Sequence, residues 1–573
     1  MRSRGAVLAT SALVIALTAS ACGSSGSGGS SNTSGGKAAS NGKVSGLPEQ
    51  DINPQPVSAL KQGGTLIYSL DEYPTQWNYG EVDGTEASIN SVMGAIMPLP
   101  MISDAKANVT ANPDYLKSIS ETSTNPQTIT AELNPAAKWS DGTPITEADY
   151  AANFKACNGQ QKGFQCTSTT GLDQVKSVSE GSNGKYSLVV VFKKPFADWK
   201  SLFSSYLYPA HYVSTAKLFN TGYLNNIPVT GGPFGNPKFD KSNQTITVTP
   251  SSNWWGNKPL LSRIIFKALD STAANQAYLN GEIDYDFDVA VDPQDYKQIK
   301  KATNGHVTLA AGPDYRQITV SSVHGFMSDE KVRQAVAMGI NREALIKSDL
   351  NGIPYPATPL DNHFFMNTQE GYQNNAGQYG TYNPSAAKSL LESDGFKLDS
   401  SGYYAKNGQE INLDFMIPSG IVSSRDEGEL TQQMLKQVGI KVHINAVPVN
   451  KWSTDYLVPG KFDLAPFSWL GTPFPISSSV SIYSSPKSNG AQNFTGTSNA
   501  QVDSLLQQAI KETDPAKAVS LTNQADKLLY QEVHTITLFQ RPQMCGVTNG
   551  LANIGSFGFA TPDFTKIGYM KNS

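Results

Sequence analysis

Lys138-Trp139-Ser140-Asp141-Gly142-Thr143-Pro144-Ile145-Thr146-Glu147-Ala148-Asp149 joins two local signals in one short run. Asp141-Gly142-Thr143-Pro144 is turn chemistry. Thr146 with Asp149 three residues on is a capping box, which predicts a helix running through Phe154. Upstream, Gly63-Gly64 leads into the strand-like run 65–70. Downstream, residues 175–179 and 186–192 flank Asn183-Gly184, the dipeptide of a tight hairpin. Further on, Ser328 is expected to cap a helix carrying Val332, Ala335, Val336 and Met338, and Asn341 to start another through Ile346. Residues 430–438 read as helix, and Ile440, Val442 and Ile444 then alternate with Lys441, His443 and Asn445 as a half-buried strand. Val502, Leu505, Leu506 and Ala509 form a helical stripe, and Asp514-Pro515 open a second helix with Leu521, Ala525, Leu528 and Leu529. Strands exchanging with helices in this way imply an α/β fold whose stripes are core.

The chain begins with Arg2 and Arg4, an apolar run over 6–17, and the small residues Ala19-Ser20-Ala21 before Cys22. That is the pattern of a secretory signal peptide over 1–21. The apolar run falls short of the ~20 residues a membrane-spanning helix needs. Ala19-Ser20-Ala21-Cys22 resembles a bacterial lipobox, whose cysteine becomes the lipidated N-terminus. Residues 23–46 are nearly all Gly, Ser and Asn, so 22–60 is expected to be a flexible tether between a lipid anchor and a folded body. No later apolar run is long enough to cross a bilayer. Formal charge is −4, and −6 once Arg2 and Arg4 leave with the signal, which argues against nucleic acid as a partner. Cys157 and Cys166 flank a polar loop and are expected to form a disulfide in an oxidising compartment. A metal clip is the rival reading, but no nearby His or Cys completes four ligands. Cys545 is left as a buried apolar thiol.

Several blocks, in order, resemble the peptide- and nickel-binding class of ABC-importer solute-binding proteins, extracellular solute-binding protein family 5. The run 138–149 is similar to the family's K-W-S-D-G-T-P-[LV]-T-A-x-D. Gly231-Gly232-Pro233-Phe234 resembles G-T-G-P-Y, Asn253-Trp254-Trp255-Gly256-Asn257-Lys258-Pro259 resembles N-x-x-Y-W-G-x-K-P, and Leu279-Asn280-Gly281-Glu282-Ile283-Asp284 resembles L-x-x-G-E-I-D. Lys331-Val332-Arg333-Gln334-Ala335 with Asn341-Arg342-Glu343, and Tyr382-Asn383-Pro384 with Ala387-Lys388-Ser389-Leu390-Leu391, look like two further family blocks. These blocks are structural before they are functional: Gly281 reads as a helix end and Arg333 as a partner for a carboxylate. The resemblance implies a three-domain, periplasmic-binding-protein-like (Venus-flytrap) α/β fold with mixed sheets. Domain I would be assembled from 61–98, 228–313 and 537–573, domain II from 99–227, and domain III from 314–536. It further implies an extracytoplasmic monomer, lipid-anchored to the outer face of the bacterial cell membrane, that closes around a solute between domains I and III and presents it to an ABC permease.

For the site, peptide-holding members carry a Trp-x-Ala-Asp segment whose acid meets the peptide amino terminus. Here Trp469 is kept and Thr472 stands where the acid would be. A neutral hydroxyl cannot make a charge-assisted bond, about twice as strong as a neutral one. The resemblance also points to Trp452 as a cleft tryptophan, Glu86 as a ligand-facing residue of domain I, and Gln317 and Thr319 as candidates on domain III. Core packing is the alternative for the tryptophans, and a solvated helix charge for Glu86. An oligopeptide is the expected ligand and no cofactor is expected; a nickel chelate, haem or oligosaccharide is the alternative. An enzyme, such as a secreted hydrolase, finds little support. The six histidines (His211, His306, His324, His363, His443 and His534) lack H-E-x-x-H spacing, and no G-x-S-x-G elbow, P-loop or G-x-G-x-x-G occurs.

Overall fold

The computed structural model describes residues 46–287, 291–356, 358–488 and 490–572; the signal peptide, Cys22 and most of the expected tether lie outside them. The turn and capping box form as read. Thr143 donates its N–H to the Asp141 carboxylate (2.9 Å), and the Thr146 N–H donates to Asp149 (2.9 Å) at the head of the helix Glu147–Ala156. Asp149 also accepts the Ala210 N–H at 2.8 Å, so the cap doubles as a tertiary tie.

A four-stranded antiparallel sheet is ordered Leu116–Thr124, Gln127–Leu133, Gly184–Phe192, Val175–Gly181. Period-two alternation along Gln127–Leu133 turns Ile129, Ala131 and Leu133 into the core. The second sheet has ten strands and is mixed. One half holds Phe234–Asp240, Thr245–Pro250, Arg263–Ala268, Thr65–Leu70 and Tyr285–Asp286; the other holds Leu464–Leu470, Asn412–Pro418 and Lys441–Val447. Thr65–Leu70 runs parallel to both its neighbours, and Asn412–Pro418 does the same in the far half.

Two long antiparallel strands, Gly305–Val320 and Thr535–Thr548, join the halves. Their register breaks twice near the middle: Ala311 pairs with Pro542 and Tyr315 with Gln540, leaving Gly312, Pro313 and Asp314 opposite Arg541 alone, and Leu538 is then skipped between the pairs Arg316–Phe539 and Gln317–Thr537. Extra residues on one strand bend it. The bulge is pinned by Arg541 Nη1 to Asp314 Oδ2 (2.6 Å), Gln540 Nε2 to the Gly312 carbonyl (2.8 Å) and the Gly471 N–H to the Pro313 carbonyl (2.7 Å). A Cβ at Gly312 would lie 2.9 Å from the Arg541 carbonyl oxygen, so only glycine fits without displacing backbone.

One face of the far half-sheet carries Ile318, Phe415 and Leu464 against Val332 and Val336 of the helix Glu330–Gly339 and Leu435 and Val438 of Val422–Val438. Each such side chain, fully buried, contributes roughly 1.5–3 kcal/mol. The opposite face is aromatic. Three expectations change. Asp329, one residue beyond Ser328, caps Glu330–Gly339, and Ser328 bonds back to Gly325. Among the described residues Arg333 meets no carboxylate within ion-pairing distance; its guanidinium donates to the backbone carbonyls of Glu532 and Met327. Residues 46–60, expected in the tether, are packed: Asp51 pairs with Ser556, and the Ala311 N–H donates to the Pro48 carbonyl.

Cys157 and Cys166 are joined by the expected disulfide, and Cys545 is a buried thiol outside it that donates to the Phe287 carbonyl. The bond ties the C-cap of Glu147–Ala156 to a segment paired with Glu81. A Cys157→Ser/Cys166→Ser double variant is expected to lose roughly 2–3 kcal/mol, read as a lower thermal midpoint that reductant no longer shifts, whereas the wild type shifts on reduction.

Candidate functional site

In open α/β sheets ligands collect outside the carboxyl ends of strands. At that end of Thr65–Leu70 the chain turns through Asp71 and Glu72, whose N–H groups both face Ser88 Oγ on the helix Ala87–Ile96. Glu86 precedes that helix, so a strand end and a helix start bring Asp71, Glu72 and Glu86 together. Asp71 keeps exposed surface, yet the protein around it pushes its carboxyl up to about 6, assisted by Asp286 and Glu72. Glu86 is half-buried. Burial, with a hydrogen bond to Glu72 and the charges of Glu72 and Asp83, pushes it up to about 8. Burial and the hydrogen bond to Glu72 thus hold the proton on Glu86 well above the usual carboxylate range.

The aromatic face of the far half-sheet forms a second candidate surface. Tyr315 pairs with Trp469, Gln317 with Phe467 and Thr319 with Ala465 across Gly305–Val320 and Leu464–Leu470. Directly opposed residues share a face, so all six stand on one side of the sheet. Phe467 meets Trp469 at 5.0 Å and Trp452 at 5.7 Å, both edge-on, and Trp469 stacks on Phe494 at 5.8 Å. Phe559, from beyond Thr535–Thr548, packs into the same cluster. Trp452 sits on a six-residue π-helix, Trp452–Leu457.

Two polar atoms on this face lack a partner. Gln317 and Trp452 are both 0% exposed; Gln317 donates its amide to Thr319 Oγ1 (2.7 Å), while Gln317 Oε1 and Trp452 Nε1 make no hydrogen bond among the described residues. Leaving such groups unmet costs about 1–3 kcal/mol each. Both tryptophans are packed in the core of this cluster.

Thr472 stands apart from that face. Its hydroxyl accepts the Phe474 N–H (3.1 Å) and donates to Ser478 Oγ (3.2 Å), and its carbonyl accepts from Gln369. Of the expected residues, then, Gln317, Thr319, Trp452 and Trp469 come together, Thr472 caps a local turn, and Glu86 belongs to the other half-sheet. Asp71 and Glu72 escaped the sequence reading; a carboxyl pair following a strand was the available signal.

The raised Glu86 carboxyl has a defined pH signature. The folded chain holds a proton that the unfolded chain gives up near 4.5, so this stabilisation is full below that value and is lost as pH rises through about 8. The thermal midpoint is expected to fall across that window, and Glu86→Gln, permanently neutral, to flatten the fall; calorimetric melts across the pH range check it.

The profile of bacterial extracellular solute-binding proteins, family 5 (middle), matches residues 110–491. The oligopeptide-binding protein OppA of Mycobacterium tuberculosis (strain ATCC 25618 / H37Rv) is 34% identical over 563 residues, spanning 98% of this chain and 93% of that protein. The oligopeptide-binding protein AppA of Bacillus subtilis (strain 168) is 24% identical over 466 residues, spanning 78% and 81%. Among solved structures, the periplasmic EDTA-binding protein EppA aligns with a TM-score of 0.83 at 24% identity, covering 92% of this chain and all (100%) of that one. AppA from Bacillus subtilis in complex with a nonapeptide aligns at 0.70 and 21% identity, covering 89% and 100%. With the match extending over most of the chain and the two half-sheets joined as described, this protein belongs to the family 5 bacterial extracellular solute-binding proteins.

Proposed function

We propose that this protein captures oligopeptides between its two half-sheet bodies and delivers them to an ABC importer permease, and that it does no covalent chemistry. The observation that carries the reading is the aromatic face with one unpartnered buried acceptor, Gln317 Oε1, and one unpartnered buried donor, Trp452 Nε1. A peptide offers a donor and an acceptor at every residue, so such a wall can hold its main chain with little regard for side chains. The relatives described as oligopeptide-binding support the same class of solute. In this reading domain I comprises 61–98, 228–313 and 537–573, domain II 99–227 and domain III 314–536, with the hinge at the Gly312–Asp314 bulge. The protein acts as an extracytoplasmic monomer.

Thr472 already spends its hydroxyl on Phe474 and Ser478, so it is not the anchor of a peptide amino terminus. Calorimetric titration with mixed tri- to octapeptides, their N-acetylated forms, cello-oligosaccharides and nickel tests the assignment. Peptides are expected to bind, and the acetylated forms to lie within about threefold, since no charge-assisted bond to Thr472 is lost. Trp452→Ala and Trp469→Ala should weaken binding more than tenfold, the loss expected for a buried aromatic anchor. Saturable sugar or nickel binding with no peptide binding rejects the proposal.

Attachment is proposed through lipidated Cys22 and the segment after it. Stable anchoring takes more than one acyl chain. Cys22→Ala is expected to move the protein from the membrane fraction into the medium; retention of the variant in the membrane would rule the anchor out.

A further inference from the structure

The four-stranded sheet unit reaches the far half-sheet body through the loop that follows the strand Gly184–Phe192. Phe196, Ala197 and Asp198 follow the strand Gly184–Phe192, and the buried side chain of Gln127 grips Phe196 from both sides: its Oε1 accepts the Phe196 N–H (2.8 Å) and its Nε2 donates to the Phe196 carbonyl (3.0 Å). The loop is therefore presented by a fixed residue. From it the Ala197 N–H donates to the Ile510 carbonyl (2.8 Å), and Asp198 Oδ2 accepts the Ser477 N–H (2.9 Å).

Both targets are helix ends. Ser477 lies in the first turn of Pro475–Tyr483, whose N-cap residue, Phe474, has no side chain able to accept a hydrogen bond. Ile510 is the C-cap of Ala500–Ala509. The first turn of a helix leaves N–H groups unmet and carries partial positive charge; the last turn leaves carbonyls unmet and carries negative charge. A carboxylate on the former and an N–H on the latter match both ends in sign and in hydrogen-bonding role. The capping acceptor that the sequence around Phe474 omits is thus supplied from a unit some 279 residues away in the chain.

We infer that the Ala197–Asp198 loop is the latch of the closed state, capping in trans the two helix ends of the far half-sheet body, so that Asp198 governs how long the protein stays shut. Opening the two bodies uncaps both helices together, and a ligand that favours closure adds to the same equilibrium. The inference rests on the solute-capturing reading above, but its first test needs no ligand.

Hydrogen exchange of the mature chain, read by mass spectrometry on peptides covering 474–480 and 194–199, should show these amides protected. Asp198→Ala is expected to raise exchange in 474–480 about tenfold, in the range of one charge-assisted hydrogen bond, and to enlarge the radius of gyration in solution scattering. Asp198→Asn, which keeps an acceptor, should fall between. Ser477→Pro deletes the donor at a position where helices tolerate proline and should reproduce the Asp198→Ala scattering, so the test survives if Asp198→Ala folds poorly. In the peptide arm, Asp198→Ala should speed dissociation of a peptide identified by calorimetry about tenfold. Exchange and scattering equal to wild type in both Asp198→Ala and Ser477→Pro would overturn the latch, whatever the peptide titration gives.

Discussion

The pairing of Gly305–Val320 with Thr535–Thr548 is the constraint on which the rest depends. Backbone N–H and C=O groups must find partners when buried, and these two strands satisfy each other over nearly their whole length while crossing from one half-sheet to the other. They supply one edge of each half with a neighbour, Tyr285–Asp286 on one side and Leu464–Leu470 on the other. The two breaks, the wider at Gly312–Asp314 and a second at Leu538, fall close together and leave the ladder continuous on either side. Arg541 and Asp314 hold the wider break from the side-chain direction, so the joint is positioned rather than slack.

Next to the joint, the far body is stiffened by a buried polar network instead of a purely apolar core. The His363 ring lies between Asp526 Oδ1 (2.7 Å, from Nδ1) and the Thr535 carbonyl (3.2 Å, from Nε2), and Asn375 donates to the other Asp526 oxygen (2.7 Å). Tyr315 and Tyr483 share a hydrogen bond at 2.6 Å. A network satisfied in this way fixes geometry, because any displacement strands a charge or a dipole in a low-dielectric interior. It ties the helix Pro515–Glu532 to the first residue of Thr535–Thr548, and so holds the strand that frames the aromatic face.

The two candidate surfaces differ in their polar character. The aromatic face is rigid, with its tryptophans already buried and two polar atoms unmet. The Glu86 carboxyl is adjustable, because its raised proton affinity lets that one group be neutral or anionic near neutral pH. The latch between Asp198 and Ser477 lies in neither surface, which separates holding the bodies together from holding the solute.

What the sequence by itself determined is whatever is decided within a few residues. The capping box at Thr146 and Asp149, the hairpin at Asn183-Gly184, the cap at Asn341 and the proline-led helix after Asp514 all formed, since each depends on bonds between neighbours. The apolar stripes, the α/β class and the family blocks were legible for the same reason: period and order are properties of the chain itself. Even there Ser328 gave way to Asp329, as two adjacent acceptors competed for one helix start. Only the tertiary structure decided that residues 46–60 lie against Ser556 and Ala311, that Arg333 meets carbonyls, that burial beside Glu72 raises the Glu86 carboxyl, and that Asp198 caps a helix in another unit. Of the site residues expected from the sequence, it brought Trp452, Trp469, Gln317 and Thr319 onto one face and left Thr472 and Glu86 elsewhere. Those outcomes depend on which distant segments the two long strands bring within 3 Å, and no local pattern encodes a distance between residues far apart in the chain.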